Sequence, residues 1–185
     1  MNDTLLNDLE RRMNSSIDVL KKEYQGLRTG RATPNLLEPI TVDAYGSELP
    51  INQGATISAP EVRMLMVQVW DQAQLQAVEK AIRNADLGLN PIIDGQIMRI
   101  PIPELNEERR KELAKVASKY AEETRVAIRN IRRDGIDTLK KEAKSGDISE
   151  DESRSLSDKV QKQTDNSINQ INELLSQKEA EIMQV

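Results

Sequence analysis

The sequence predicts an α+β protein of two domains: a long antiparallel three-helix bundle with a small inserted β/α/β domain joined to it by a hinge. Apolar residues recur every three or four positions along three long segments, which is the period of an amphipathic helix. All seven prolines fall between Pro34 and Pro103. Because proline interrupts helices and long amphipathic helices must bury their stripes together, we expect the proline-containing segment to be an insertion.

The first predicted helix covers residues 3–27 and stops before Pro34. Residues 40–45, 55–59 and 64–70 predict strands, and residues 72–85 predict a short helix. We therefore assign residues 1–30 and 106–185 to the bundle and residues 31–105 to the inserted domain. The hinge is predicted at the two connectors, because Gly30 is free in φ and the prolines limit where the chain bends. Its residues are Gly30, Arg31, Ala32, Thr33, Pro34, Pro101, Ile102, Pro103, Glu104 and Leu105.

The second long helix is predicted at residues 106–145, a length of roughly 60 Å. Asn106 is a good N-cap, and Gly146 supplies the C′ residue. Ser149 and Glu152 form the pattern of a capping box, from which a third helix runs to about residue 183. Gly135 lowers the helix propensity of the second helix and is expected to soften it locally.

Arginines line a flank of the second helix beside its apolar stripe. No acidic residue occurs within 125–133, although each like-charge pair at this spacing costs about 0.2–0.5 kcal/mol. Two interpretations remain open from the residues alone: a solvated face with Glu122 and Asp134 as partial partners, or a surface whose guanidinium groups bind phosphate. On a helical projection with the apolar stripe near ~240°, the arginines fall as follows: Arg125 at ~0°, Arg129 at ~40°, Arg132 at ~340°, Arg133 at ~80° and Arg110 at ~300°.

Composition excludes several classes of function. The net charge of −5 is no global signature of nucleic-acid binding, so any such site must be a local patch. The chain has no cysteine and no histidine, which removes disulfides, thiol nucleophiles, Ser-His-Asp chemistry and ordinary zinc sites. The polar N-terminal residues and the lack of a long apolar run favour a soluble, cytoplasmic protein without membrane contact. We expect no metal, no cofactor and no catalytic residue.

Two other functions fit part of the sequence. A coiled-coil scaffold or chaperone explains the long helices but neither the acid-free arginine cluster nor the inserted domain. An enzyme is disfavoured because the carboxylates sit at solvent-facing helix positions and no glycine-rich phosphate loop is present. The lone Trp70 is interpreted as a core or domain-surface residue rather than a platform for stacking bases.

Five short blocks of the sequence are distinctive: LRTGRA at 27–32, VDAYG at 42–46, GLNP at 88–91, EERRK at 107–111 and RVAIRNIRRD at 125–134. They resemble the bacterial ribosome recycling factor family and keep that family's order. Together with the capping box they span nearly the whole chain, which makes the ordered set specific. The sequence departs from the family at Asn106, where threonine is common, and at Gly135, where alanine is common.

The resemblance implies a monomeric factor that binds the 70S ribosome after peptide release. With elongation factor G, and with GTP hydrolysis by that partner, such a factor separates the subunits so that they can be reused. The resemblance also implies that Arg132 and Arg129 contact large-subunit ribosomal RNA, with help from Arg110 and Arg28. It implies that the small domain faces elongation factor G. The full predicted RNA-binding set is Arg28, Arg31, Arg110, Arg125, Arg129, Arg132 and Arg133.

Overall fold

The computed structural model describes residues 2–27, 29–85 and 87–184. Contacts within the chain group it into two compact units, each with its own buried core. The first unit contains Met1–Leu27 and Lys111–Val185, and the second contains Arg28–Arg110. The predicted α+β class, with long helices and a small strand-containing domain, is confirmed.

The described residues form four α-helices: α1 (Asn2–Gly26), α2 (Leu75–Asn84), α3 (Glu107–Ser145) and α4 (Glu150–Met183). The ends of the three long helices agree with the sequence prediction to within one residue. Strong N-caps determine where α3 and α4 begin. The Asn106 side chain accepts from the Arg109 N–H at 2.7 Å, and Ser149 and Glu152 make both hydrogen bonds of a capping box. Among the described helices, none combines the length and apolar character needed to cross a bilayer.

The directions of α1 and α3 follow from two contacts near opposite ends of their interface. The Arg12 guanidinium donates to the Asp134 carboxylate at 2.7 Å, while the Tyr24 hydroxyl donates to the Ala117 carbonyl at 2.8 Å. Residue numbers rise along one helix as they fall along the other, so the two helices are antiparallel. The short connection at 146–149 turns α4 antiparallel to α3 in the same way.

The core of the bundle is formed by the stripes that the sequence predicted, with small residues where helices approach closely. Ala121 is fully buried on α3. Thr164 and Ser167 are buried on α4, and Thr164 satisfies its hydroxyl by donating to the Val160 carbonyl at 2.8 Å. The largest fully buried side chains of this unit are Leu9, Met13, Leu20, Ile128, Leu139 and Ile171.

Gly135 lies at a close approach between α3 and α1. A Cβ atom added at this position would lie 2.5 Å from Leu9 Cδ1, and Leu9 is itself a buried core residue. An alanine here would improve helix propensity by about 1 kcal/mol but would force Leu9 to move. Packing against Leu9 therefore gives a reason for glycine at this position beyond the local softening expected from the sequence.

The pKa of Tyr24 predicts a loss of stability at high pH. Burial raises this pKa to about 12, against an opposing effect of Arg125 and with smaller increases from Glu179 and Glu23. The unfolded chain ionises first, near pH 10, so the folded state holds the extra proton between pH 10 and 12 and stability falls as the pH rises through this window. The expected loss is roughly 3 kcal/mol, at 1.36 kcal/mol per pKa unit.

Urea unfolding at pH 9 and pH 12, compared between wild type and Tyr24→Phe, measures this loss. Tyr24→Phe removes a hydroxyl whose acceptor, the Ala117 carbonyl, lies in mid-helix and therefore also accepts the backbone hydrogen bond of α3. The variant should cost only about 1 kcal/mol at pH 9. All other side chains are the same in both proteins, so the difference isolates Tyr24. An equal pH-dependent loss in both proteins would contradict this assignment.

The second unit contains two antiparallel sheets packed with α2. The strands are β1 (Thr41–Ala44), β2 (Ser47–Pro50), β3 (Ala55–Glu61), β4 (Met64–Val69), β5 (Ile92–Asp94) and β6 (Ile97–Pro101). β1 and β2 form a hairpin, and the other four have the order β3-β4-β6-β5. The short helix begins with a 3₁₀ turn (Gln72–Gln74), for which Asp71 is the N-cap. Central β4 alternates buried side chains with half-buried or exposed ones.

Both predicted connectors are attached to the turn between β3 and β4. The Ala32 N–H donates to the Val62 carbonyl at 2.6 Å, and the Ile102 N–H donates to the Arg63 carbonyl at 2.9 Å. Glu104 also forms an ion pair with Arg63. Gly30 adopts a left-handed φ of +76°, and a Cβ atom there would lie 3.2 Å from Leu105 Cγ. The two connectors are therefore neighbours within the second unit.

Candidate functional site

Four of the seven predicted RNA-binding arginines lie together in the first unit, on the flank of α3: Arg125, Arg129, Arg132 and Arg133. We call this set the arginine face. Arg31, which is exposed, and Arg110, which is half-buried, belong to the second unit. The Arg110 Nε is buried and has no hydrogen-bond partner among the described residues. Arg28 lies outside the described residues.

Arg125 is held by two neighbours, Glu122 of α3 and Asn172 of α4. Its Nε and Nη2 both donate to the Asn172 Oδ1 of α4, at 3.1 and 2.7 Å. Its Nη1 donates to Glu122 at 3.1 Å. The side chain is only 19% exposed. With all three nitrogens engaged, Arg125 joins α3 to α4 and has little donor capacity left for a ligand.

Arg129 shares the Glu122 carboxylate with Arg125 but is much more open. Its Nη1 donates to Glu122 Oε1 at 3.0 Å, and its side chain is 52% exposed. The hydrogen bond from Arg129, followed by that from Arg125, lowers the pKa of Glu122 below its ordinary value. Exposed pairs of this kind are weak and easily exchanged, so a phosphate could replace Glu122 as the partner of Arg129.

Arg132 is fixed by a hydrogen bond that leaves the outer edge of its guanidinium available. Its Nε donates to Gln161 Oε1 of α4 at 2.6 Å. Gln161 in turn donates through Nε2 to Asp165 Oδ1 at 2.8 Å. Because the contact uses only Nε, both Nη groups remain for a bidentate contact with phosphate oxygens. Arg133 is exposed beside this group.

The acidic partners of the arginine face differ partly from the sequence interpretation. Glu122 contacts two of the arginines, as expected. Asp134, the other expected partner, instead forms an ion pair with Arg12 of α1 at 2.7 Å. The arginine face therefore carries four guanidinium groups, and Glu122 is the carboxylate that contacts them within the described part of the chain. This excess of positive charge is what a local phosphate-binding patch requires in an acidic protein.

Sequence reasoning missed the amides of α4 that position the arginines. Asn172 and Gln161 read as ordinary polar residues of an exposed helix face. The spacing of Gln161 and Asp165, four residues apart, could have indicated that they hydrogen-bond along the helix. Their position opposite Arg132 depends on the register between α3 and α4, which is set by packing across two helices and is not encoded in any local pattern.

A second surface feature lies on the second unit, where the β1–β2 hairpin meets the start of the 3₁₀ turn. An apolar cleft of about 230 Å³ is lined by Leu49, Pro50, Trp70 and Tyr45, among others. Trp70 is 62% exposed, and its indole N–H donates to Thr56 Oγ1 at 2.9 Å. The Tyr45 hydroxyl donates to Asp71 at 2.5 Å, and this bond lowers the pKa of Asp71. The cleft thus presents two exposed aromatic side chains held in place by hydrogen bonds.

Comparison with known sequences identifies the relatives of this chain. Residues 20–183 match the sequence profile described as ribosome recycling factor. The chain belongs to the ribosome recycling factor family. A ribosome-recycling factor of Agrobacterium fabrum (strain C58 / ATCC 33970) is 59% identical over 180 residues, 97% of each chain. One of Rhodospirillum centenum (strain ATCC 51521 / SW) is 61% identical, also over 97% of each chain.

Solved structures of ribosome recycling factors have the same fold. A solution structure of the ribosome recycling factor matches with a TM-score of 0.80 and 42% identity, covering 100% of this chain and 98% of that chain. The T. thermophilus ribosome recycling factor, described with E. coli elongation factor G bound to the E. coli post-termination complex, matches with a TM-score of 0.69 and 48% identity over 100% of both chains. Both support the family assignment over the full described length.

Proposed function

We propose that this chain is a ribosome recycling factor that binds the 70S ribosome after termination, chiefly through large-subunit ribosomal RNA. With elongation factor G and GTP it separates the subunits so that they can be reused. Family membership supports the activity. The arginine face is the observation that supports the proposed binding site. Within it, Arg132 is fixed through Nε alone and Arg129 is half exposed. We infer that the factor acts as a cytoplasmic monomer.

The chemistry of the arginine face suits a phosphate backbone. Guanidinium forks make two parallel hydrogen bonds to phosphate oxygens, and backbone phosphates position a protein without reading base sequence. Each phosphate neutralised releases counterions, so ribosome affinity should fall steeply with salt. The rest of the protein is acidic, with a net charge of −5. Binding should therefore depend on this local patch rather than on overall charge.

We assign nucleotide hydrolysis to elongation factor G and propose that this chain is not an enzyme. Phosphoryl transfer needs a phosphate cradle and aligned groups that exclude water. The arginine face lies on an open helix flank and has neither feature. Within the described residues no group of acidic side chains is placed to hold a metal ion. The chain instead supplies a charged surface and a stiff α3 of 39 residues.

The small domain is proposed to face a protein partner. Residues 31–105 contain five basic and nine acidic residues, a net charge of −4, which disfavours contact with RNA phosphates. Exposed tryptophan and tyrosine residues beside a pocket are typical anchors of protein–protein interfaces. The cleft at Trp70 and Tyr45 therefore supports the assignment of this domain to a protein such as elongation factor G.

We further propose that the two connectors act as the hinge, with bending concentrated in residues 29–31 and 103–105. The backbone hydrogen bonds of Ala32 and Ile102 attach the inner parts of both connectors to the β3–β4 turn. Thr33, Pro34 and Pro101 lie between Ala32 and Ile102 in the sequence and are therefore outside the segments where we place the bending. Gly30 can change its φ freely, whereas an L side chain at its φ of +76° is strained.

Linking the two connectors should preserve ribosome binding and reduce subunit splitting. Thr29 and Glu104 line the same cavity of about 210 Å³, and the absence of native cysteine makes Thr29→Cys/Glu104→Cys a clean pair for a bismaleimide. The same variant treated with a monofunctional maleimide is the matched control. We expect splitting at least fivefold slower only for the linked form, measured by light scattering. Wild-type splitting by the linked protein would show that hinge motion is not required.

The proposed function is tested with purified post-termination ribosomes, this chain, elongation factor G and nucleotide. Sedimentation should show the chain on vacant 70S ribosomes, and light scattering should show splitting only when elongation factor G and hydrolysable GTP are both present. The chain alone should hydrolyse neither GTP nor ATP above buffer. Failure to bind ribosomes would favour a scaffold or chaperone, and turnover by the isolated chain that is lost on mutating its own residues would favour an enzyme.

A further inference from the structure

Arg132 differs from the other arginines in how it is held. Asn172 accepts from the Nε and Nη2 of Arg125 while Glu122 accepts from its Nη1, so every nitrogen of this guanidinium already donates to a protein group. Gln161 takes only the Nε of Arg132. The first arrangement joins two helices. The contact with Gln161 orients the Arg132 guanidinium and leaves its Nη1 and Nη2 available.

Two hydrogen bonds link Asp165, Gln161 and Arg132 in series, and the chemistry of these groups fixes the direction of both. A guanidinium can only donate, so the group of Gln161 that faces Arg132 must be the amide oxygen. The amide nitrogen then faces Asp165, whose ionised carboxylate can only accept. Each member of the series Asp165–Gln161–Arg132 therefore determines the orientation of the next.

We propose that Gln161 is a positioning residue for ribosomal RNA binding, supported by Asp165, and that it acts through Arg132. The inference rests on the proposed function of the arginine face. A neutral amide suits this task because it orients Arg132 without cancelling its charge. A carboxylate at the same place would compete with phosphate for the guanidinium.

Gln161 is expected to increase the affinity for ribosomal RNA by ordering Arg132 before binding. A long side chain that is already fixed in its binding geometry avoids the entropy cost of being immobilised by the ligand. Losing that order should weaken binding by roughly two- to twelvefold, the range for one immobilised side chain. Because the charge of Arg132 is kept, the dependence of affinity on salt should not change.

Gln161→Met tests the inference, since methionine has a similar length and helix propensity but no amide. Gln170→Met is the matched control, an exposed glutamine on the same helix. Affinity for vacant 70S ribosomes is measured for wild type, both glutamine variants, Arg132→Ala, and Arg132→Ala combined with Gln161→Met, each at three salt concentrations. Urea unfolding of every variant separates effects on binding from effects on stability.

We expect Gln161→Met to weaken binding by roughly two- to twelvefold with an unchanged salt slope, and Gln170→Met to have no effect. In the Arg132→Ala background, Gln161→Met should cause no further loss, which a general structural role would not produce. Additive losses of affinity in the double variant would overturn the role of Gln161 without affecting the proposed function. Wild-type affinity of Gln161→Met, together with weak binding by Arg132→Ala, would have the same consequence. Failure of wild type to bind ribosomes would overturn the proposed function as well.

Discussion

Arg132→Ala is expected to weaken binding to vacant 70S ribosomes by roughly 1–3 kcal/mol, a fivefold to more than hundredfold increase in Kd. Under the proposed function its two Nη groups bind a phosphate, since Gln161 occupies only Nε. Folding should be nearly unaffected, since the residue lies off the apolar seam of α3. The variant should also reduce the salt slope of binding by about one.

Arg11→Ala is the matched control for Arg132→Ala. Arg11 is an exposed arginine of α1 in the same unit, and its partner Asp8 lies three residues earlier on the same helix. Removing it changes the net charge by the same amount but leaves the arginine face intact. Sedimentation or fluorescence titration in matched salt measures both variants. Equal weakening by the two substitutions would mean that net charge, rather than the position of Arg132, determines affinity.

Ile128→Ala should produce the opposite pattern: a loss of about 2–5 kcal/mol in the free energy of unfolding and little change in ribosome affinity of the folded protein. Ile128 is fully buried in the bundle, one residue before Arg129. Truncation leaves a cavity where α3 packs on its neighbours. Urea unfolding followed by circular dichroism measures the loss.

Val126→Ala serves as the control for Ile128→Ala because it shortens an exposed aliphatic side chain of the same helix. Its cost in stability should be within about 0.5 kcal/mol. Ribosome binding by Ile128→Ala is measured well below its unfolding midpoint, so that unfolded protein does not dilute the result. A large loss of affinity in the folded Ile128→Ala protein would mean that the buried and exposed faces of α3 do not act separately.

Local patterns were sufficient to predict the α-helices and three of the six strands in the described part of the chain. The Ser149 capping box and the spacing of apolar residues act within a few residues, so their outcome is decided by the local sequence. The sequence also placed the arginines on one flank of α3, since helical geometry alone fixes their relative directions. These predictions needed no knowledge of tertiary contacts.

Contacts between helices could not be predicted in the same way. The pairing of Asp134 with Arg12, in place of the arginine face, depends on the register between α1 and α3. The engagement of Arg125 by Asn172 depends on the register between α3 and α4. A different register in either interface would place other side chains opposite these residues. The sequence thus indicated which arginines share a face but not which of them remain open to a ligand.

A probe attached beside the arginine face offers a direct test of its proposed contact with ribosomal RNA. Val126 lies among these arginines and is 45% exposed, while Val19 of α1 is 55% exposed and provides a matched position away from them. Because the chain has no cysteine, Val126→Cys and Val19→Cys can each carry a single iron chelate that generates hydroxyl radicals. Sedimentation checks that both labelled proteins bind 70S ribosomes.

With the probe at Val126, we expect strong, localised cleavage of large-subunit ribosomal RNA, and with the probe at Val19 we expect clearly weaker cleavage of the same region. Competition by unlabelled wild type should remove the cleavage, whereas unlabelled Arg132→Ala should compete poorly. Strong cleavage from Val19 with none from Val126, by proteins that both bind the ribosome, would contradict the assignment of the arginine face as the RNA contact.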